Sequence, residues 1–209
     1  MSDIEQCWVE FWRLYNAGKW EPETHALLKE VLKPGDLFVD IGAWIGPVSL
    51  WALELGASVV AVEPDPVALE ELERQLSPYT LTCEIHAGAL APHDGQLSIS
   101  PCPVYRGRPG QMGDSMTRVT EEGLSAPCWT IETILAGRTP ALAKMDVEGY
   151  ELVLLPTVAP YLAALGTTLM VALHTELPDP AWFAGYGSVD MPTSARNKQG
   201  RSLSLLARP

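Results

Sequence analysis

The stretch that decides the fold of this chain is Leu37-Phe38-Val39-Asp40-Ile41-Gly42-Ala43-Trp44-Ile45-Gly46. It is an apolar run that carries one carboxylate and is followed by two glycines four residues apart. A buried strand, a glycine-rich turn and the start of a helix form the arrangement with which α/β proteins bring backbone close to a nucleotide-like ligand. The stretch therefore predicts the first strand and helix of a parallel sheet, with a ligand-binding loop between them.

The chemistry of this loop favours a ligand that carries positive charge. Asp40 lies where the loop opens, and Gly42 and Gly46 follow a Gly-x-x-x-Gly spacing instead of the Gly-x-Gly-x-x-Gly of dinucleotide-binding proteins. A carboxylate in this position repels a pyrophosphate and attracts a cation. S-adenosylmethionine carries a sulfonium and an α-ammonium, so we expect this methyl donor to be the cofactor.

A second strand that ends in a carboxylate follows after a short helix. Residues 47–55 are predicted as that helix, and residues 58–62 are β-branched and continuously apolar, as in a strand buried on both faces of a parallel sheet. Glu63 ends this strand 21 residues after Gly42, where a carboxylate accepts hydrogen bonds from ribose hydroxyls. NAD-binding proteins place an acid at about the same distance, so Glu63 indicates a nucleoside without choosing between the two cofactors.

The remaining sequence predicts one globular unit with further helices and strands. Residues 1–34 are expected to form an N-terminal helical segment that packs on the core, and residues 35–209 the cofactor-binding domain. Helices are expected at about residues 3–16, 23–32 and 151–165, the last broken or kinked near Pro156. Strands are expected at about residues 82–90, 96–100, 141–147 and 168–173, followed by a hairpin with its turn at 197–200 and its last strand at 202–207.

Residues 101–123 interrupt this pattern. The segment is rich in proline and glycine and carries Arg106, Arg108 and Arg118. A long irregular segment within a compact domain is usually functional or disordered. It is predicted to be either a surface loop or a segment that grips the substrate.

The composition narrows the class of protein and its partners. Hydrophobic residues make up 47% of the chain and charged residues 19%, which is ordinary for a globular protein. The net charge of −12 argues against long nucleic acid as a partner. The four cysteines lack a metal-binding spacing and are expected to be reduced thiols. Without a secretory pattern or a membrane-spanning apolar run, we expect a cytoplasmic protein that does not enter the membrane; its oligomeric state is not predicted.

A second group of charged residues ends a later apolar strand. Lys144-Met145-Asp146-Val147-Glu148-Gly149-Tyr150-Glu151 places Lys144 and Asp146 on one side of an extended chain. Ligands of open α/β sheets bind beyond the carboxyl ends of the strands, although a salt-bridge network at a helix start would also explain these charges. His174 follows the next apolar strand and ends on the same rim. Lys144, Asp146 and His174 are therefore the candidate catalytic residues, with His174 as a general base that takes the proton of a hydroxyl.

The same side chains offer a second kind of chemistry. Asp146, Glu148, His174 and Glu176 could gather a divalent cation that lowers the pKa of the hydroxyl. We expect catalysis without a metal. If a metal is bound, Asp146, Glu148 and His174 are its expected ligands.

Three motifs together resemble the FkbM family of S-adenosylmethionine-dependent methyltransferases. They are the run from Phe38 to Gly46, the sequence Val62-Glu63-Pro64, and the Lys-x-Asp-x-Glu-Gly-x-Glu pattern from Lys144 to Glu151. The resemblance covers about residues 20–175. One glycine loop is a weak signal, but three motifs in this order and at compatible spacings are fairly specific.

The resemblance implies the class I methyltransferase fold, a Rossmann-like three-layer sandwich with a mostly parallel seven-stranded sheet whose last strand is antiparallel. It also implies O-methylation of a hydroxyl on a small-molecule or saccharide acceptor. By motif match, Glu63 would bind the cofactor's ribose, and its methionine part would be lined by Asp40, Gly42, Ala43 and Gly46. The expected cofactor-binding set is completed by Trp44, Pro64 and Ala89.

Two residues depart from the family pattern. Trp44 stands where a small polar residue, commonly Asn, is usual, so it is expected to narrow or roof the cofactor site. Glu132 stands where an Asp often precedes the late strand.

The alternative functions are a non-catalytic cofactor-binding module of the same fold and, less favoured, an NAD-dependent oxidoreductase.

Overall fold

Helices and strands alternate along most of the chain in the computed structural model, which describes residues 2–105, 108–192 and 203–209. The α-helices of these ranges are α1 (Asp3–Asn16), α2 (Pro22–Val31), α3 (Pro47–Glu54), α4 (Pro66–Leu76), α5 (Ile131–Leu135) and α6 (Glu151–Ala164). The strands are β1 (Leu37–Ile41), β2 (Ser58–Val62), β3 (Cys83–His86), β4 (Ala89–Leu90), β5 (Gly95–Ser100), β6 (Val104–Tyr105), β7 (Arg108–Pro109), β8 (Arg118–Thr120), β9 (Leu124–Trp129), β10 (Leu142–Met145), β11 (Thr168–Leu173), β12 (Ser188–Asp190) and β13 (Leu203–Arg208).

A seven-stranded sheet forms the centre of the fold. Its strand order is β3-β2-β1-β10-β11-β13-β12. The first five strands in this order, β3, β2, β1, β10 and β11, run parallel, and β13 runs antiparallel to both of its neighbours. The predicted mostly parallel sheet with an antiparallel last strand is confirmed. The predicted hairpin turn at residues 197–200 lies outside the described residues.

Apolar side chains on the two faces of this sheet belong to two separate cores. Successive residues of a strand point to opposite faces, so Val39 and Ile41 pack with α5 and α6, whereas Phe38 packs with the helices α2, α3 and α4. Asp40 follows the same alternation and points to the face of Phe38. The sheet therefore lies between two helical layers, and the charged end of β1 meets the layer that contains α3.

A second, smaller sheet replaces part of the predicted irregular region. Residues 82–90 form two strands instead of the one expected, because β3 pairs with β2 while β4 pairs with β9. Gly88 separates them, and a Cβ atom there would lie 2.4 Å from the carbonyl oxygen of Pro127. The second sheet has the order β4-β9-β5-β8. Residues 101–123 are thus less irregular than predicted, since they contribute β8 to this sheet and pair β6 with β7.

Helix α6 continues past Pro156, so the chain does not break there; the kink that was the other possibility at Pro156 stays a prediction. Pro156 and Pro160 both lie inside the helix, and each lacks the N–H of one intrahelical hydrogen bond. The helix persists because its apolar residues Leu154, Leu155, Val158 and Leu162 are buried against the sheet, and burial contributes more to helix stability than intrinsic propensity. Neither α6 nor any other helix of the described ranges combines the length and apolarity needed to cross a membrane.

Helix α1 packs an aromatic face onto the start of the glycine loop. A capping box between Ser2 and Glu5 fixes its first turn. Trp8 and Phe11 are buried in a cluster with Ile45 of the loop, and Trp44 packs against the same cluster. The N-terminal segment therefore covers the loop that the sequence identifies as the cofactor site.

Candidate functional site

The carboxyl ends of β1 and β10 bring two of the predicted charged groups into contact. Asp40 and Lys144 are direct neighbours across these strands. Lys144 Nζ lies 3.6 Å from Asp40 Oδ1 and 3.3 Å from Asp146 Oδ2. Burial lowers the pKa of Lys144, but the charges of Asp146 and Asp40 outweigh this effect and hold the pKa above its ordinary value. Lys144 is therefore a cation that joins the end of β1 to the residues that follow β10.

Asp40 is enclosed by protein. The residue is 0% exposed, and Ser49 Oγ donates a 2.7 Å hydrogen bond to its Oδ2. Burial raises the pKa of Asp40, while Lys144 and the hydrogen bond from Ser49 lower it. Asp40 therefore holds Lys144 and the first turn of α3 in place, and its predicted contact with the cofactor stays a prediction.

Gly42 lets the first loop lie directly against the end of β10. Its φ is +78°, and a Cβ atom at this position would lie 1.9 Å from the carbonyl oxygen of Asp146. The N–H groups of Gly42 and Ala43 both donate to the carbonyl of Val62. Only glycine fits here, because any side chain would push the loop away from Asp146.

Glu63 lies at the end of β2 with both carboxylate oxygens facing the loops. The backbone N–H of Trp44 donates to Oε2 and that of Asp65 donates to Oε1, each at 2.8 Å. Burial raises the pKa of Glu63 to about 8, although the two N–H donors favour the charged form. A carboxylate has about four acceptor positions, and these two N–H groups use one on each oxygen.

Trp44 connects the glycine loop to two other parts of the chain. Its backbone has a φ of +49°, which is uncommon for a residue with a side chain. The indole Nε1–H donates to the carbonyl of Gly113 at 2.9 Å, and the ring packs edge-on against Phe11 with 4.7 Å between ring centroids. The side chain therefore lies between α1 and residues 111–117.

The other predicted cofactor residues are placed by different elements. Ala43 and Gly46 are buried in the loop before α3, and Pro64 is half-buried directly after Glu63. Ala89 belongs to β4 and pairs with Cys128 in the second sheet. Ala89 is therefore positioned by the second sheet and not by the glycine loop.

His174 is surrounded by three carboxylates. Its side chain is 8% exposed; Nε2 lies 3.5 Å from Asp146 Oδ1 and 3.4 Å from Glu148 Oε2, and Nδ1 lies 2.8 Å from Glu151 Oε1. Burial lowers the pKa of His174, but hydrogen bonds to Glu148 and Glu151 and the charge of Asp146 raise it to about 10. At neutral pH the ring is therefore an imidazolium whose single positive charge offsets part of the negative charge of these carboxylates.

A divalent cation is the alternative way to balance the same charges. Ligand atoms of Asp146, Glu148 and His174 all lie within 4.8 Å of one another. Glu151 Oε1 also accepts from the N–H groups of Val147 and Gly149. It therefore holds the His174 ring at Nδ1, while Nε2 faces Asp146 and Glu148. Glu176, the fourth residue considered from the sequence, is exposed and outside this group.

Sequence reasoning missed Glu21, which the structure brings near the site. Its carboxylate accepts a 2.9 Å hydrogen bond from Thr24 Oγ1 at the start of α2. Burial raises the pKa of Glu21, and the charge of Lys144 lowers it. A Glu-Pro pair at a helix start is the only local signal, and it does not reveal a contact with a distant strand.

Known proteins were compared with this chain in sequence and in fold. A family model described as the methyltransferase FkbM domain matches residues 40–164. No curated protein matches the sequence. The fold resembles that of methyltransferase FkbM from Methylobacillus flagellatus KT, with a TM-score of 0.55 and 16% identity over 90% of this chain and 51% of that one. This chain thus spans about half the length of that protein.

Two other solved structures share the fold over nearly their whole length. SMU.1697c of Streptococcus mutans in complex with SAH has a TM-score of 0.54 and 12% identity, covering 90% of this chain and 96% of that one. An rRNA methylase from Streptococcus thermophilus has a TM-score of 0.51 and 10% identity, covering 89% and 93%. These likenesses confirm the class I, Rossmann-like methyltransferase fold. Because the family model covers more than half of the 209 residues, the chain belongs to the FkbM methyltransferase family.

Proposed function

We propose that this protein transfers the methyl group of S-adenosylmethionine to a hydroxyl oxygen of a small molecule or saccharide. The observation that carries the proposal is the meeting of the three sequence motifs at one edge of the sheet. Glu63, the Gly42 loop and the pair of Lys144 with Asp146 lie at the carboxyl ends of neighbouring strands. This is where open α/β sheets bind their ligands.

The glycine loop and Glu63 are proposed to hold the cofactor. Ribose hydroxyls would donate to the two open acceptor positions of Glu63, and the methionine part would lie along Gly42, Ala43 and Gly46. Asp40 contributes by fixing Lys144 and Ser49. SAH bound to the similarly folded Streptococcus mutans protein supports this choice of cofactor.

Asp146 is proposed to receive the acceptor hydroxyl. Its Oδ1 is buried, makes no hydrogen bond within the described residues, and lies 3.5 Å from His174 Nε2. Its Oδ2 faces Lys144 Nζ at 3.3 Å. In the reaction a bond forms between the acceptor oxygen and the methyl carbon while the bond from that carbon to sulfur breaks, and the hydroxyl proton passes to the carboxylate of Asp146. In-line positioning of these atoms supplies much of the acceleration.

His174 is proposed to hold Asp146 and Glu148 in place as a cation. With a pKa of about 10, it would have to lose a proton before acting as the general base predicted from the sequence. The pH profile of His174→Ala separates the roles. A base predicts wild-type turnover that rises toward pH 10 and a variant that lacks this rise, whereas the cationic role predicts a uniformly slower variant below pH 9.

The chemistry of the acceptor is proposed from charge and family. The family favours a small-molecule or saccharide acceptor, and the net charge of −12 disfavours long nucleic acid. Catalysis without a metal is part of the same proposal, because the imidazolium of His174 already pairs with the three carboxylates. A cytoplasmic location is also proposed.

Isothermal titration with SAH, followed by assay of labelled S-adenosylmethionine with a panel of hydroxylated acceptors, tests the proposal. We expect SAH binding that is lost in Glu63→Ala and kept in Glu73→Ala, an exposed control on α4. SAH binding without product from any acceptor would favour a non-catalytic binding module. Thermal stabilisation by NAD without SAH binding would favour an oxidoreductase.

A further inference from the structure

Glu63 and three other residues, Trp44, Gly113 and Asp65, form a closed circuit of hydrogen bonds. The backbone N–H of Trp44 donates to Glu63 Oε2 at 2.8 Å, and its indole donates to the Gly113 carbonyl at 2.9 Å. The N–H of Gly113 donates to Asp65 Oδ2 at 2.6 Å, and the N–H of Asp65 donates to Glu63 Oε1 at 2.8 Å. The circuit therefore begins and ends on the two oxygens of the carboxylate assigned to the ribose.

The circuit also ties residues 111–117 to the loop after β2. Thr117 Oγ1 donates to the same Asp65 oxygen that accepts from Gly113. Asp65 is buried, and its other oxygen caps α4 by accepting from the N–H groups of Val67 and Ala68. One carboxylate thus starts a helix with one oxygen and holds a distant segment with the other.

Gly113 allows residues 111–117 to lie close against α1 and α4. Its φ is +89°, and a Cβ atom there would lie 2.8 Å from Val67 Cγ1 and 3.1 Å from both Ile4 Cγ1 and Trp8 Cζ2. Trp8 Nε1 donates to the Gly113 carbonyl as well, at 3.2 Å. The segment is therefore held by backbone contacts that depend on glycine at one position.

We propose that residues 111–117 form a wall of the cofactor's ribose site and that Trp44 is the positioning residue that holds this wall against Glu63. The proposal rests on the assignment of Glu63 to the ribose. Trp44 acts through Glu63 and Gly113, and its ring is occupied with Phe11 and Gly113. This proposal assigns a structural role to Trp44, the loop residue that departs from the family pattern.

Trp44→Phe is the most direct test, because it removes the indole donor while keeping an aromatic ring and the backbone N–H to Glu63. We expect SAH binding by Trp44→Phe to weaken about 5- to 10-fold, the effect of losing one buried hydrogen bond. Trp12→Phe is the matched control: Trp12 lies in the same aromatic cluster, but its indole donates to Glu71. We expect its SAH affinity to stay within about twofold of wild type.

Asp65→Ser provides a second break in the circuit. Serine keeps an oxygen to cap α4 but loses the second oxygen that holds Gly113 and Thr117. We expect weaker SAH binding, and the double variant with Trp44→Phe to weaken binding less than the two single effects multiplied, because both break one circuit. Tryptic cleavage after Arg118 should be faster in both variants than in wild type and Trp12→Phe.

The outcomes separate this inference from the proposed function. Wild-type protein that fails to bind SAH would overturn both. Wild-type protein that binds SAH, with Trp44→Phe and Asp65→Ser unchanged in affinity and cleavage, would overturn the wall and leave the methyltransferase assignment standing. Equal melting temperatures of Trp44→Phe and Trp12→Phe, with unequal SAH affinities, would show that the effect is on the site and not on general stability.

Discussion

Raising the pH from 7 to 9 should tighten cofactor binding through the ionisation of Glu63. In the ligand-free protein, burial raises the pKa of this carboxyl to about 8, so it is mostly protonated at neutral pH. Ribose hydroxyls donate hydrogen bonds, and a carboxylate accepts them better than a carboxylic acid does. Binding therefore favours the ionised form and must release a proton.

The magnitude follows from the pKa. With a pKa near 8, about one tenth of the Glu63 side chains are ionised at pH 7 and about nine tenths at pH 9. The affinity should rise about tenfold over this interval, and binding at pH 7 should release about 0.9 proton. The His174 imidazolium and the Cys83 thiol have raised pKa values of about 10 and 11, so both titrate above most of this window.

Isothermal titration calorimetry in two buffers of different ionisation enthalpy measures this proton release. Methylthioadenosine is the better probe, because it carries the ribose but lacks the amino group of SAH, which titrates in the same range. Glu63→Gln should bind more weakly and lose the pH dependence. Equal heats in both buffers, or proton uptake on binding, would refute the assignment of Glu63 to the ribose.

Three further predictions concern the charged residues at the carboxyl ends of β1, β10 and β11. The carboxylates around His174 overcome the effect of burial and raise its pKa from 6.5 to about 10. The protonated ring therefore contributes its whole stabilisation of the folded state below pH 6.5, and this contribution is lost as the pH rises through 10. The melting temperature should fall between pH 8 and 10 in wild type and much less in His174→Gln. Ser49→Ala removes a hydrogen bond to the buried Asp40 and should cost about 1–3 kcal/mol in the free energy of unfolding measured with urea; an unchanged denaturation midpoint would contradict the enclosed position of Asp40. EDTA should leave methyl transfer within about twofold of its untreated rate, because the imidazolium of His174 already pairs with the carboxylates of the candidate metal site; loss of activity that Mn²⁺ restores would instead favour the metal site of Asp146, Glu148 and His174.

The fold was largely predictable because its main signals are local. Residues 37–41, 58–62 and 168–173 are apolar runs ended by loops, and these runs become β1, β2 and β11. The number of strands in the sheet and the antiparallel last strand came from the family resemblance and not from these runs. The division of residues 82–90 was missed, because the partner of β4 is β9, nearly forty residues later, and no local pattern indicates so distant a pairing.

The candidate site was predictable in its charged residues and less so in their partners. Asp40, Lys144 and Asp146 were chosen by their positions at strand ends, and the structure brings these three together. The bond of Trp44 to Gly113 joins residues 69 positions apart, so the sequence alone gave no reason for a tryptophan in the loop. Glu21 was missed for the same reason.

Because β13 lies between β11 and β12, this part of the sheet cannot form until β13 has been synthesised. β12 precedes β13 in sequence but reaches the sheet only through it, because β13 lies between β11 and β12. Until β13 has left the ribosome, β12 has no strand to pair with, and the apolar β11 forms an open sheet edge. Unpaired apolar edges promote aggregation. We therefore expect nascent chains that stall before residue 203 to depend on chaperones, because the β11 edge is covered only when β13 pairs with it.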